Sequence, residues 1–176
     1  MIVQDDVITI PITQEMKLEA LEQEKLIKKQ KKNSKETREL NNRRDFYGAL
    51  GQIVVREYFK ECGVEASFPQ YFDKRISRDK CDFIHRDQLV DVKTSPGNSS
   101  LNGFLFVNFG QKPKIVDYYC FVKLDQERQE GNILGLVSYL DLWEKGQWKF
   151  TPKMKAPALS YLVEQLDPMR GFVYGC

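Results

Sequence analysis

A change of hydrophobic period at Gly63 constrains this chain more than any other feature. Between residues 42 and 63, apolar positions recur at helical spacing on two stripes, Phe46, Leu50, Ile53 and Val54 on one and Gly48, Val55 and Phe59 on the other. A helix so patterned is covered by protein over much of its surface, and Gly63 is placed to close it in the left-handed conformation. Gly48 and Gly51 each cost such a helix about 1 kcal/mol relative to alanine, a cost that close packing or a nearby backbone would explain. From Glu65 the period shortens to that of strands, expected over residues 65–72, 80–85, 89–94, 101–109, 118–124 and 133–137. Ser138 can cap a short helix that runs through Trp143 to Gly146, and a last helix is expected over residues 158–166, stopped by Pro168. Helices followed by a run of strands exclude a bundle or a sandwich and give an α+β or mixed α/β domain.

Ahead of this block, Thr13 can cap a helix over residues 14–32, with Met16, Ala20 and Ile27 as its thin apolar stripe. Its second half is basic. Lys25, Lys28, Lys29, Lys31, Lys32 and Lys35 occur with no acid among them, serving equally as a solvated helix face or as a phosphate-contacting arm. The chain thus divides into an N-terminal strand and basic helical arm, residues 1–40, and a main region, residues 41–176, together expected as one compact domain. Because 27 Lys and Arg balance 25 Asp and Glu, the net charge is only +2 and any basic surface is local. The four cysteines form no C-x-x-C pair, which argues against a zinc finger or dithiol site and for a reducing, cytoplasmic setting. A single histidine, His85, disfavours schemes built on a His pair. No apolar run approaches bilayer length and the first residues lack a signal-peptide pattern, so no membrane partner is expected.

The chemistry concentrates in residues 81–95. Two strands joined by a tight polar turn form a hairpin, and alternation puts Asp91 and Lys93 on one face. A two-residue loop at Asp87 and Gln88 adds Asp82 to that face, pairing Asp82 with Lys93 and Ile84 with Asp91. Two carboxylates on one patch repel, and a hard cation such as Mg²⁺ relieves the repulsion while keeping positions for water and phosphate. The ammonium can then orient or deprotonate the attacking water and neutralise charge on phosphorus, which is phosphodiester hydrolysis. Asp91 and Lys93 alone would read as a solvent-facing charge pair. His85 falls on the face opposite Asp82 and reads as structural.

Asp82 followed by Asp91-Val92-Lys93 on the next strand resembles the core signature of the PD-(D/E)XK nuclease superfamily, the restriction-endonuclease-like fold. Residues 45–52, Asp-Phe-Tyr-Gly-Ala-Leu-Gly-Gln, look like the helix that precedes the signature there, with Gln52 where relatives carry an acid. The resemblance spans residues 42–124, and more weakly those up to Trp143. It implies a central mixed sheet flanked by helices and a Mg²⁺-dependent endonuclease, with Mn²⁺ as a substitute ion. Asp82 and Asp91 would hold the metal, Lys93 would act on the water, and Gln52 would lie near the ion, with one tightly held metal expected because an amide brings no charge. DNA contacts are expected from Lys25, Lys28, Lys29, Lys31 and Lys32, from Arg75 and Arg78 just before Asp82, and from Lys112 and Lys114. Trp143, Trp148, Tyr118, Tyr119, Tyr139 and Tyr161 could stack bases but fit core positions equally. A homodimer would supply two sites, as in restriction, homing or phage enzymes that cut a defined sequence. A structure-specific junction or repair nuclease, a non-catalytic DNA-binding protein on the same fold and a domain that docks an acidic partner are the rivals. One departure is the strand over residues 101–109, where the superfamily usually has a helix.

Overall fold

The computed structural model describes residues 3–33, 43–69, 81–97, 104–108, 116–149 and 158–175. In chain order the elements are β1 (Ile8–Pro11), α1 (Gln14–Asn33), α2 (Arg44–Glu61), β2 (Phe83–His85), β3 (Gln88–Pro96), β4 (Phe104–Asn108), β5 (Tyr118–Asp125), β6 (Glu130–Ser138), α3 (Tyr139–Lys145), β7 (Gln147–Lys149), β8 (Ala158–Leu162) and α4 (Met169–Tyr174). Local chemistry sets many of the boundaries. Thr13 Oγ1 accepts the Met16 amide at 3.2 Å, and Ser138 Oγ accepts the Asp141 amide at 3.0 Å, so both helices begin on a hydroxyl cap. At the end of α2, Gly63 takes φ +63°, and the Val64 amide reaches back to the Phe59 carbonyl at 3.1 Å.

Five strands form a mixed sheet in the order β1-β6-β5-β3-β2, in which only β3 and β5 run parallel. The crossover between them leaves this sheet, because β4 joins a second antiparallel sheet of order β4-β8-β7. The strand expected at residues 101–109 is therefore an edge strand of the second sheet. Both faces of the five-stranded sheet are covered, which is why β5 and β6 are apolar almost throughout. One face buries Val90, Val92, Cys120, Val122 and Ile133 beneath Ile53, Val54 and Phe59 of α2. The other buries Tyr119, Phe121, Leu134 and Val137 beside Leu105, Leu159 and Leu142 of the second sheet and α3. Each such side chain contributes about 1.5–3 kcal/mol.

The expected N-terminal arm contributes Ile8, Ile10, Met16 and Ala20 to the first of these cores. A bidentate pair, Arg56 to both Glu19 oxygens at 2.6 and 2.7 Å, ties α1 to α2. Arg56 holds the Glu19 carboxyl below the usual carboxylate range, through its hydrogen bonds first and its charge second. Gly51 allows α2 to meet β3 closely, since a Cβ there would stand 2.9 Å from Thr94 Cβ, whereas around Gly48 nothing lies within 4 Å. Close approach thus accounts for one glycine of the pair.

Two expected elements are corrected. Residues 158–166 form β8 and a single 3₁₀ turn, Val163–Gln165, instead of a helix, because β8 is the middle strand of its sheet and is buried on both sides. Pro168 then precedes α4 as its N-cap and does not stop a helix. Of the strand expected at 65–72, the described part makes only an isolated bridge, Ser67 to Ile84, ahead of Pro69, which has no amide to extend the ladder. Among the described residues no helix is long and apolar enough to cross a membrane.

Candidate active site

The β2–β3 hairpin turns on Arg86 and Asp87, both at positive φ (49° and 63°), the pattern of a tight two-residue hairpin turn. The loop length is even, as expected, but it lies one residue earlier than Asp87–Gln88. Register therefore moves by two, so that Ile84 faces Leu89 and His85 faces Gln88, and the expected pairings of Asp82 with Lys93 and Ile84 with Asp91 do not form.

Asp82 immediately precedes β2 and grips β3 on both sides of Asp91. Its amide donates to the Val90 carbonyl at 2.8 Å, and its Oδ2 accepts the Val92 amide at 2.7 Å. A carboxylate oxygen thus completes the ladder where the short strand β2 supplies no backbone acceptor. Asp91 is 1% exposed and pairs with the Lys93 ammonium on its own strand, while Lys93 keeps a third of its side chain in water. The Lys93 ammonium also lies over the ring of Tyr119, 5.5 Å from its centroid. Burial raises the Tyr119 phenol well above its ordinary pKa, with the Asp91 charge adding to the effect. Burial likewise pushes the Cys120 thiol up, helped by the Asp82 charge.

Gln52 approaches from the α2 side. It lines a cleft of about 230 Å³ together with Asp82, Glu22, Arg56 and Phe68. Asp91 and Lys93 belong to the opposite face of β3, the face that carries Tyr119 on the neighbouring strand. The expected site residues are therefore divided, with Asp82 at the strand edge between Gln52 on one side and the Asp91–Lys93 pair on the other. Among the described residues no three His, Cys, Asp or Glu side chains gather as a metal-binding group. Asp82 and Asp91, neighbours across the β2–β3 edge, are a pair of hard oxygen donors that suits Mg²⁺, which fills its remaining positions with water and substrate phosphate, whereas Gln52 lies on the other side of β3 from Asp91.

His85 is buried at 4% exposure, with Nδ1 donating to the Glu65 carbonyl at 3.0 Å and the ring between Phe59 and Phe172. It helps hold the hairpin to α2 and α4, in keeping with a structural role. In α1, Lys25 and Lys29 are exposed, whereas Lys28 is paired with Glu24 at 2.8 Å. Lys31 and Lys32 lie in the last turn of the same helix. Arg75, Arg78, Lys112 and Lys114 lie outside the described residues. Sequence reasoning missed Glu22 and read Tyr119 as a core or base-stacking aromatic without placing it at the site. Glu22 faces the Gln52 cleft from α1, and Tyr119 could have been found only by aligning β5 beside β3, which puts it next to Asp91.

Comparison with protein-family models, with curated proteins and with solved structures finds no match.

Proposed function

We propose that the protein is a Mg²⁺-dependent endonuclease that hydrolyses DNA phosphodiester bonds on a restriction-endonuclease-like core. The observation that carries this reading is the grip of Asp82 on β3 around the buried Asp91, with Lys93 paired beside it. Asp82 and Asp91 would hold Mg²⁺, or Mn²⁺ in its place, while Gln52, which lines the α2-side cleft with Asp82, would act only through Asp82. The chemistry the ion supplies when bound is polarisation of a phosphate oxygen and acidification of a water. Lys93, anchored at its base by β3 and reaching water at its tip, orients that water and offsets charge as it develops on phosphorus. Asp91 keeps the ammonium in place. Lys25 and Lys29 contact phosphates beyond the site and add affinity without sequence information. Cutting of a defined sequence by a homodimer follows from the same reading, each copy serving one strand.

A second reading, a DNA-binding protein without turnover, draws on Gln52, which brings no charge where a catalytic acid would help. Supercoiled, linear and branched DNA incubated with Mg²⁺, Mn²⁺, Ca²⁺ or a chelator separate the two. Nicking or linearisation in Mg²⁺, lost with chelator and with Lys93→Ala, is the expected result, with Ca²⁺ supporting binding but little turnover. Binding without cleavage of any substrate in either Mg²⁺ or Mn²⁺ favours the second reading. Preference for the branched substrate would make the enzyme structure-specific.

A further inference from the structure

Lys93 sits beside Phe121 in the parallel register of β3 and β5, yet its ammonium lies over Tyr119, the residue that pairs with Asp91. The side chain therefore leans back along both strands by one two-residue step. Asp91 supplies one hold at the end of that reach and the Tyr119 ring face the other. Tyr119 is 1% exposed and its ring is packed within the second core, so its face is a fixed surface. We propose that Tyr119 is a positioning residue for Lys93, its ring face fixing the ammonium beside Asp91 so that Lys93 meets an incoming phosphate in one orientation. This rests on the nuclease reading for its catalytic consequence but not for the geometry.

The physical need is clear from lysine itself. Its four-carbon stem has large rotamer freedom, and an ion pair with one partner partly in water restrains it weakly. The negative face of an aromatic ring adds an attraction that depends on ring electronics as well as on shape. Around the ammonium, among the described residues, stand Asp91 on its own strand and Tyr119 on β5, with Tyr139 at the start of α3 acting on the Tyr119 phenol. The ring presents an electron-rich face to the ammonium, 5.5 Å from its centroid.

The test replaces Tyr119 by Phe and by phenylalanines of increasing ring fluorination, which drain the face of negative charge at nearly constant size. Tyr119→Phe should cleave plasmid DNA within about twofold of wild type, and kcat should fall stepwise with fluorination to about a tenfold loss, with KM and melting temperature unchanged. A flat kcat across the series overturns the proposal. A second measurement does not need turnover: the mobility of the Lys93 ammonium, read by nuclear magnetic relaxation of side-chain-labelled lysine in the folded protein at fixed pH. The Lys93 order parameter should fall stepwise with fluorination, and an unchanged value across the series overturns the proposal. If wild type cuts no DNA in Mg²⁺, the nuclease reading falls, and the relaxation series still decides whether the ring holds the ammonium.

Discussion

The two faces of β3 obey different rules within one strand. Val90, Val92 and Thr94 face α2, where Gly51 lets the helix backbone approach and the strand is sealed into an apolar core. Asp91 and Lys93 face the other way, beside Tyr119, and carry a charge pair of which one member is buried and the other reaches water. The difference teaches that a period of two lets five residues serve both packing and chemistry. Rigidity on one face fixes the geometry of the other.

The sharpest way to break this comparison is at Lys93. Lys93→Ala should lower cleavage by roughly a thousandfold and also strand the buried Asp91 carboxylate, at a cost of up to about 3 kcal/mol. Asp91→Asn combined with Lys93→Met should regain part of that stability and none of the activity, as read by denaturant melts beside plasmid assays. Val92→Ala makes the opposite cut. It should cost about 2 kcal/mol through the lost packing, while cleavage at a temperature well below the melt stays within a few-fold of wild type.

The helix on the sealed face offers a finer contrast. Gly51→Ala must push Thr94 aside and should destabilise by about 1–3 kcal/mol, whereas Gly48→Ala, with open space around it, should stabilise by up to about 1 kcal/mol. Equal effects in thermal melts would show that the α2–β3 contact is looser than described. The smallest effect lies at the Arg56–Glu19 pair. Glu19 has a lowered folded pKa, so its contribution is fully present above the ordinary carboxylate range and disappears as pH falls through the lowered value. Glu19→Gln should therefore cost less than about 1 kcal/mol at neutral pH, because each side chain keeps 36% of its surface in water. In strong acid it should cost nothing.

Local signals made α1, α2, α3 and the hairpin readable from the sequence, since each begins or ends on a residue with a specific job, such as Thr13, Gly63 or Ser138. The spacing from Asp91 to Lys93 likewise placed them on one face. What local pattern missed was decided by distant partners. Ala158, Leu159, Tyr161 and Leu162 have helix-like spacing, but they pair with β4 some fifty residues earlier, and a strand covered on both faces loses its alternation. The hairpin register slipped because Arg86 occupies a positive φ, which its side chain does nothing to advertise. Asp82 was found by its type, but its union with the Val92 amide depends on β2 stopping short, which no residue spacing reveals.

That last hydrogen bond turns the Val92 amide into a built-in gauge. Its proton rests on Asp82 Oδ2, and Val92 itself is 8% exposed and packed against α2. Any cation that draws electron density from Asp82 weakens the acceptor and moves one backbone resonance in an otherwise quiet stretch of sheet. Titrating Mg²⁺ into isotope-labelled protein and following that single amide would read occupancy at Asp82 directly, without DNA, turnover or a substitution.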